Sequence, residues 1–318
     1  MHKLNTPLDP MRQDRQRLGF CGRLLAAMVI AILSILPADG AETCQHLKVL
    51  LVVAHPDDEY AFAATTYRLA RELGATVDQV VITNGESGYR YSGLAELVYG
   101  VRLTDQASAR ARLPEIRRQE ALAAGRILGI RHHHFLGQRD GGITDDVDDT
   151  LGRLWNRTAV LQSLGGIMRS ERYDLVFTTL PTSETHAHHR AAALLTLWAA
   201  SKLPEDARPV ILAADPDDQD PTMFTGLHDY AITRPIDASP IVVFDHGRRF
   251  GFQSALNYHI VVNWVIAEYK SQGLFQHDYN KRDLERFWAF ASGGPRATQR
   301  CAALESSLNN AASLLAIR

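Results

Sequence analysis

Cysteine is scarce in this chain of 318 residues: Cys21, Cys44 and Cys301 are all it has. A disulfide framework is thereby excluded, since without Cys21 a single intramolecular bridge is the most the chain can make. An excess of one charge is also missing: 34 Lys and Arg face 36 Asp and Glu, for a net −2. That balance leaves no electrostatic footprint for nucleic acid. After Leu36 no apolar run approaches the roughly 20 residues of a membrane span. There is no internal repeat and no low-complexity linker, so one compact domain is expected. What remains is an ordinary globular composition, 46% hydrophobic and 22% charged.

The first forty residues read as a targeting segment. Arg12, Arg15, Arg17 and Arg23 precede the mostly apolar run Leu24 to Leu36, and Pro37-Ala38-Asp39-Gly40 follows. This fits a signal peptide over 1–40, cleaved after Gly40. An uncleaved N-terminal anchor is the alternative, and periplasm, secretion and tethering are not separated by this reading. Cleavage removes Cys21 and leaves Cys44 and Cys301 either as one bridge or as two thiols.

Over 41–318, apolar β-branched segments alternate with helical ones. Strands are expected at Leu47–Val53, Val77–Thr83, His132–Leu136, Asp174–Leu180, Pro209–Ala214 and Ile241–Asp245. Helices are expected at Ala61–Leu73, Glu115–Leu128, Val147–Ser170 with a break at Gly165-Gly166, His189–Lys202, Asn257–Gln272, Asp283–Ser292 and Thr298–Ile317. Residues 84–113 read as a long irregular connection, which is often functional. The alternation predicts an α/β fold: a mostly parallel sheet with helices on both faces.

Two loops carry candidate chemistry. Ala54-His55-Pro56-Asp57-Asp58-Glu59 follows the first apolar strand. In open α/β sheets, ligands bind beyond the carboxyl ends of strands. If a helix starts here, His55 and Asp58 face one point, since residues three apart are neighbours. Imidazole and carboxylate can then hold a metal while Asp57 takes a proton from metal-bound water. The plainer reading makes Asp57 and Asp58 helix caps. Thr185-His186-Ala187-His188-His189-Arg190 occupies the same place after a later strand. His186 and His189 are again three apart, and one more ligand from this loop completes a two-His, one-carboxylate set.

These motifs resemble the LmbE-like, or PIG-L, zinc-dependent deacetylases. The first resembles the family signature, and Thr83-Asn84-Gly85-Glu86, Arg117 to Glu120 with Leu128-Gly129, Phe135-Leu136-Gly137 with Asp140, His186 to His189 and Lys270-Ser271-Gln272 follow in the family's order. The resemblance implies a Rossmann-like fold and removal of an N-acetyl group from an amino sugar or glycoconjugate. It implies Zn2+, or another divalent metal, on His55, Asp58 and His189. It implies Asp57 as general base and His186 as the group serving the oxyanion or leaving amine. Arg117 and Asp140 become candidates for gripping substrate hydroxyls. The family's later loop is often His-Pro-Asp-His, and here His188 stands where that acid would be, bringing no negative charge to His186 and adding a competing ligand.

Other clusters have plain alternatives. His132-His133-His134 lies on a strand, where alternate side chains diverge. Arg117 and Glu120 can be a surface i,i+3 pair. Tyr89, Arg90 and Tyr91 can stack on a sugar or pack their loop. Glu59 is expected to support the motif from behind, and Phe287, Trp288 and Phe290 to be core. An amidase for a non-sugar N-acyl compound, and a carbohydrate-binding envelope protein without catalysis, are the competing functions. The oligomeric state is left open.

Overall fold

The computed structural model describes residues 46–217, 219, 221–273, 276, 281–294 and 296–310. The expected export segment, Cys21 and Cys44 lie outside these residues. Seven strands form the sheet: β1 Lys48–Val53, β2 Thr76–Thr83, β3 Ile130–Gln138, β4 Leu175–Thr179, β5 Val210–Ala214, β6 Val242–Asp245 and β7 Leu284–Ala289. Their spatial order is β3-β2-β1-β4-β5-β7-β6. β1 to β5 run parallel, and β7 pairs antiparallel with both β5 and β6. The chain therefore winds outward from β1 to β3, then returns to lay β4 on the other side of β1. This reversal opens a crevice at the carboxyl ends of β1 and β4.

The principal helices are α1 Ala63–Tyr67, α2 Ala95–Tyr99, α3 Gln106–Leu128, α4 Arg157–Glu171, α5 Ala187–Ser201, α6 Tyr258–Glu268 and α7 Arg296–Asn309. The period-two direction of strand side chains sorts the core into two layers. Val49, Leu51 and Val53 pack with Ala121 and Ala124 of α3, Val262 and Val265 of α6, and Cys301 and Leu304 of α7. Leu50 and Val52 face the other way, onto Leu164 and Met168 of α4 and Leu194 and Leu195 of α5. No helix among the described residues is long and apolar enough to cross a membrane.

Three elements differ from the sequence reading. Leu284–Ala289 is a strand, not a helix. It is buried on both sides: Phe287 and Ala289 join one layer, Trp288 the other. Glu285 and Arg286 obscured the apolar run that marks such a strand. Residues 84–113 are largely ordered as a 3-10 turn Glu86–Tyr91, then α2, then the first turns of α3. Asp105 caps α3 by accepting from the Ser108 amide at 2.9 Å, and the helix runs through Pro114. The break in Val147–Ser170 falls at Trp155-Asn156, while Gly165 and Gly166 lie inside α4.

The buried Glu285 has a structural task. Its carboxylate accepts the backbone amides of Ala64 and Thr65 at 2.8 Å each, and His246 Nε2 lies 3.1 Å away. The amides opening α1 have no intrahelical partner, and an acid there also suits the helix dipole. An unsatisfied buried polar group costs about 1–3 kcal/mol. Glu285→Ala is therefore expected to lower unfolding stability by about 3 kcal/mol or more, read from the denaturant midpoint at constant slope. A loss under about 1 kcal/mol would mean that water replaces the carboxylate.

Candidate active site

The two motif loops meet at the crevice between β1 and β4. Pro56 and Asp57 turn the chain sharply, with Asp57 at φ 134° and ψ −23°. A non-glycine residue there is strained by about 1–3 kcal/mol, and such strain persists where surrounding contacts over-determine it. Those contacts are specific. Arg117 Nη2 reaches Asp57 Oδ2 at 2.8 Å, and the same guanidinium donates to the carbonyls of Gly85 and Pro56. Gly85 has a φ of 68°, and a Cβ on it would run into the guanidinium. Neither acid caps the following helix: Asp57 makes no capping bond, and Asp58 Oδ2 turns back to the amides of Ala54 and His55 at 2.9 and 2.8 Å.

Asp58 Oδ1 is left facing two imidazoles, His55 Nδ1 at 3.3 Å and His189 Nε2 at 3.2 Å. One ligand atom from each of the three residues lies within 4.8 Å of the others, and all three side chains are buried. Tetrahedral zinc with bonds of about 2.0–2.2 Å separates its ligand atoms by roughly 3.3 Å. The donor set and its spacing thus fit a divalent cation. The charges agree: burial alone would favour the neutral acid, but His189 and His55 hold Asp58 well below the usual carboxylate range. Burial disfavours charge on His189, yet Asp58 and Asp217 outweigh it and push the ring up to about 10. The carboxylate calls for a positive neighbour, which is what a bound cation provides.

Asp57 sits beside this set. Burial, aided by the charge of Asp58, pushes it up to about 6, against the pull of Arg117. His186 is half-buried at the start of α5, its ring centroid 4.1 Å from that of His189 and 5.0 Å from that of His55. Burial, with His189 and His55 nearby, pushes it below the ordinary histidine range, so its ring is neutral. His188 is fully buried; its Nδ1 lies 3.0 Å from His55 Nε2 and 3.6 Å from Asp140 Oδ1. A carboxylate thus reaches the neighbourhood of position 188 from β3's far end instead of from the loop itself.

Arg117 and Glu120 are not a surface pair. Both are buried, and Glu120 accepts from the Ser271 amide at 2.8 Å, Ser271 Oγ at 2.5 Å and Tyr99 Oη at 2.7 Å. Asp140 accepts from the amides of Ser87 at 3.1 Å and Gly142 at 2.9 Å. Glu59 turns away from the cavity, takes bonds from Tyr269 Oη and Gln79, and is pushed up to about 7 by burial. Phe287, Trp288 and Phe290 are core. His132, His133 and His134 lie along β3, outside both donor sets formed by the described residues.

Sequence reasoning passed over Thr185 and Asp217. Thr185 Oγ1 lies 2.8 Å from His189 Nδ1, and Asp217 Oδ1 lies 3.6 Å from the same nitrogen. Such partners orient a ligating ring and raise its basicity. Asp217 follows the carboxyl end of β5, so the strand-end rule that marked the two histidine loops applied to it as well. The site opens into a cavity of about 510 Å³, lined also by Tyr89, Arg90, Tyr91 and Gln106.

Comparison with known proteins agrees with this geometry. Residues 50–200 match the PIG-L family, described as GlcNAc-PI de-N-acetylase. The chain is 29% identical over 166 residues to a probable N-acetyl-α-D-glucosaminyl L-malate deacetylase 2 of Bacillus cereus, covering 52% of this chain and 66% of that one. It is 36% identical over 160 residues to a 1D-myo-inositol 2-acetamido-2-deoxy-α-D-glucopyranoside deacetylase 2 of Saccharopolyspora erythraea, covering 47% and 55%. The chain thus spans two thirds or less of the length of these curated relatives. The fold is similar to the N,N'-diacetylchitobiose deacetylase of Pyrococcus horikoshii, with a TM-score of 0.50, 18% identity, and 85% and 93% of the two chains covered. Residues 50–200, which carry the match to the PIG-L, or LmbE-like, family, hold both site loops, β2 to β4 and all of β1 but Lys48 and Val49.

Proposed function

We propose that this protein is a metal-dependent hydrolase that removes an N-acetyl group from an amino sugar or glycoconjugate. The observation that carries the reading is the convergence of His55, Asp58 and His189 at the crevice, with Asp57 held beside them by Arg117. The family and the names of the relatives supply the substrate class. A divalent cation held by the three ligands, zinc being our assignment, would bring the pKa of a bound water to about 7 and polarise the acyl carbonyl.

The remaining work falls to the chain. Asp57 takes the proton of the attacking water, and Arg117 fixes the carboxylate and keeps it ionised. His186, across the ligand set, donates a hydrogen bond from its N–H to the carbonyl oxygen as charge develops there, and the proton that Asp57 took from the water passes to the departing amine. Asp140 lines the cavity beside His55 and is a hydroxyl acceptor for the sugar. Arg117, committed to Asp57, acts through that residue.

The test is acetate release from a panel of N-acetyl amino sugars and glycans by zinc-loaded full-length protein, with Asp57→Asn as control. Release by wild type alone is expected. Cleavage of non-sugar amides only would move the substrate class, and sugar binding without hydrolysis in a zinc-loaded sample would establish a binding protein. We further propose export through residues 1–40, read out by N-terminal sequencing of the protein from the cell envelope and medium. A mature chain beginning at Met1 in the soluble cell fraction would refute it.

A further inference from the structure

The geometry points to a second divalent-cation site, formed by His55, His186 and His188, that shares His55 with the first and switches the centre off when filled. This inference rests on the reading of the first set as the catalytic cation site. One ring nitrogen from each of these three histidines lies within 4.8 Å of the others. His55 is two-sided: Nδ1 faces Asp58 at 3.3 Å, and Nε2 faces His188 Nδ1 at 3.0 Å. The latter separation is already close to the roughly 3.3 Å edge of a tetrahedral site with zinc–nitrogen bonds of about 2.0–2.1 Å. Three imidazoles suit zinc, copper and nickel rather than magnesium or calcium.

The surroundings support a cation there. Asp140 Oδ1 is 3.6 Å from His188 Nδ1 and supplies negative charge to a set that has none. The Trp155 ring, 5.2 Å from that of His188, helps wall off the inner side. His186 is the outermost of the three and lines the cavity, so the site is reachable from solvent. Filling both sides of His55 makes its ring an imidazolate bridge, and the Nε2 proton leaves to solvent. That proton loss and the repulsion between two cations make the second site the weaker one. Once His186 is ligated, the nitrogen on the cation carries no N–H and the ring is held at the second site instead of at the carbonyl oxygen, so the second cation inhibits.

The experiment is equilibrium dialysis of chelator-stripped full-length protein against rising Zn2+, with bound zinc counted by elemental analysis and acetate release followed on the same samples. Wild type should saturate at two zinc ions per chain, with release climbing through the first and falling through the second. His188→Asn keeps an acceptor for His55 Nε2 in place of the ring nitrogen, and His186→Asn changes a residue only half-buried. Each variant should saturate at one ion. Saturation of wild type at one ion, or retention of two by both variants, would overturn the second site. Two ions with no inhibitory phase would overturn the switch. Two ions in wild type and one in the variants, without acetate release at any loading, would instead sink the deacetylase reading and leave the second site standing.

Discussion

Asp57→Asn is expected to bind zinc as the wild type does and to lose about 10²–10⁴-fold in acetate release, the usual contribution of a positioned general base. The substitution leaves the three ligands in place and keeps an oxygen for Arg117, whose other bonds go to the backbone of Gly85 and Pro56. What it removes is the capacity to accept a proton. The same carboxylate shapes the pH profile. Burial pushes Asp57 up to about 6, and the base works only when ionised, so activity falls as pH drops through its pKa. A bound cation pulls that value down, which places the acid limb of kcat/KM at or below about pH 6. An acid limb that persists unchanged in the residual activity of Asp57→Asn would assign it to another group. Zinc retention with undiminished turnover would remove Asp57 from the mechanism.

The parallel half of the sheet was legible because burial on both faces writes strands as apolar, Val- and Ile-rich runs, as in Val49 to Val53 and Val80 to Ile82. The last strand was not. Glu285 is buried within it for the sake of α1's amides, a contact 220 residues away in sequence. Local pattern carries no trace of such a partner. The helix expected from Glu115 begins earlier, at Gln106, because Asp105 caps it there, and Pro114 lies inside it. At the site, both histidine loops were readable as residue types at strand ends. The bonding around them was not: Arg117 reaches Asp57 across 60 residues and Asp140 approaches His188 across 48, and these long-range meetings assign the roles. Asp217 shows the middle case, where the strand-end rule applied but Asp217 and Asp218 after Pro216 have no histidine beside them to mark a ligand loop.

His189→Gln is expected to weaken zinc binding by far more than the roughly 10–100-fold typical of losing a partner behind a ligand, and to abolish acetate release at zinc levels that saturate wild type. The glutamine spans a similar length but offers no imidazole nitrogen 3.2 Å from Asp58 Oδ1. Loss of the metal carries the activity with it, whereas Asp57→Asn separates the two, so the pair of variants distinguishes holding the cation from using it. His189 also sets how binding depends on pH. Without metal its ring is pushed up to about 10, chiefly by Asp58 and Asp217 against the opposing effect of burial. Zinc must displace that proton, so wild-type affinity should rise with pH across the neutral range. Stability of the metal-free protein should move the other way. A histidine whose folded pKa is raised adds stability that is fully present below its unfolded value, about 6.5, and is lost as pH climbs through the folded one. Metal-free wild type should therefore exceed His189→Gln in stability most at pH 6, with the gap closing toward pH 10. A gap independent of pH would mean that His189 holds the loop by packing alone, and equal zinc affinity in the two proteins would place the cation elsewhere.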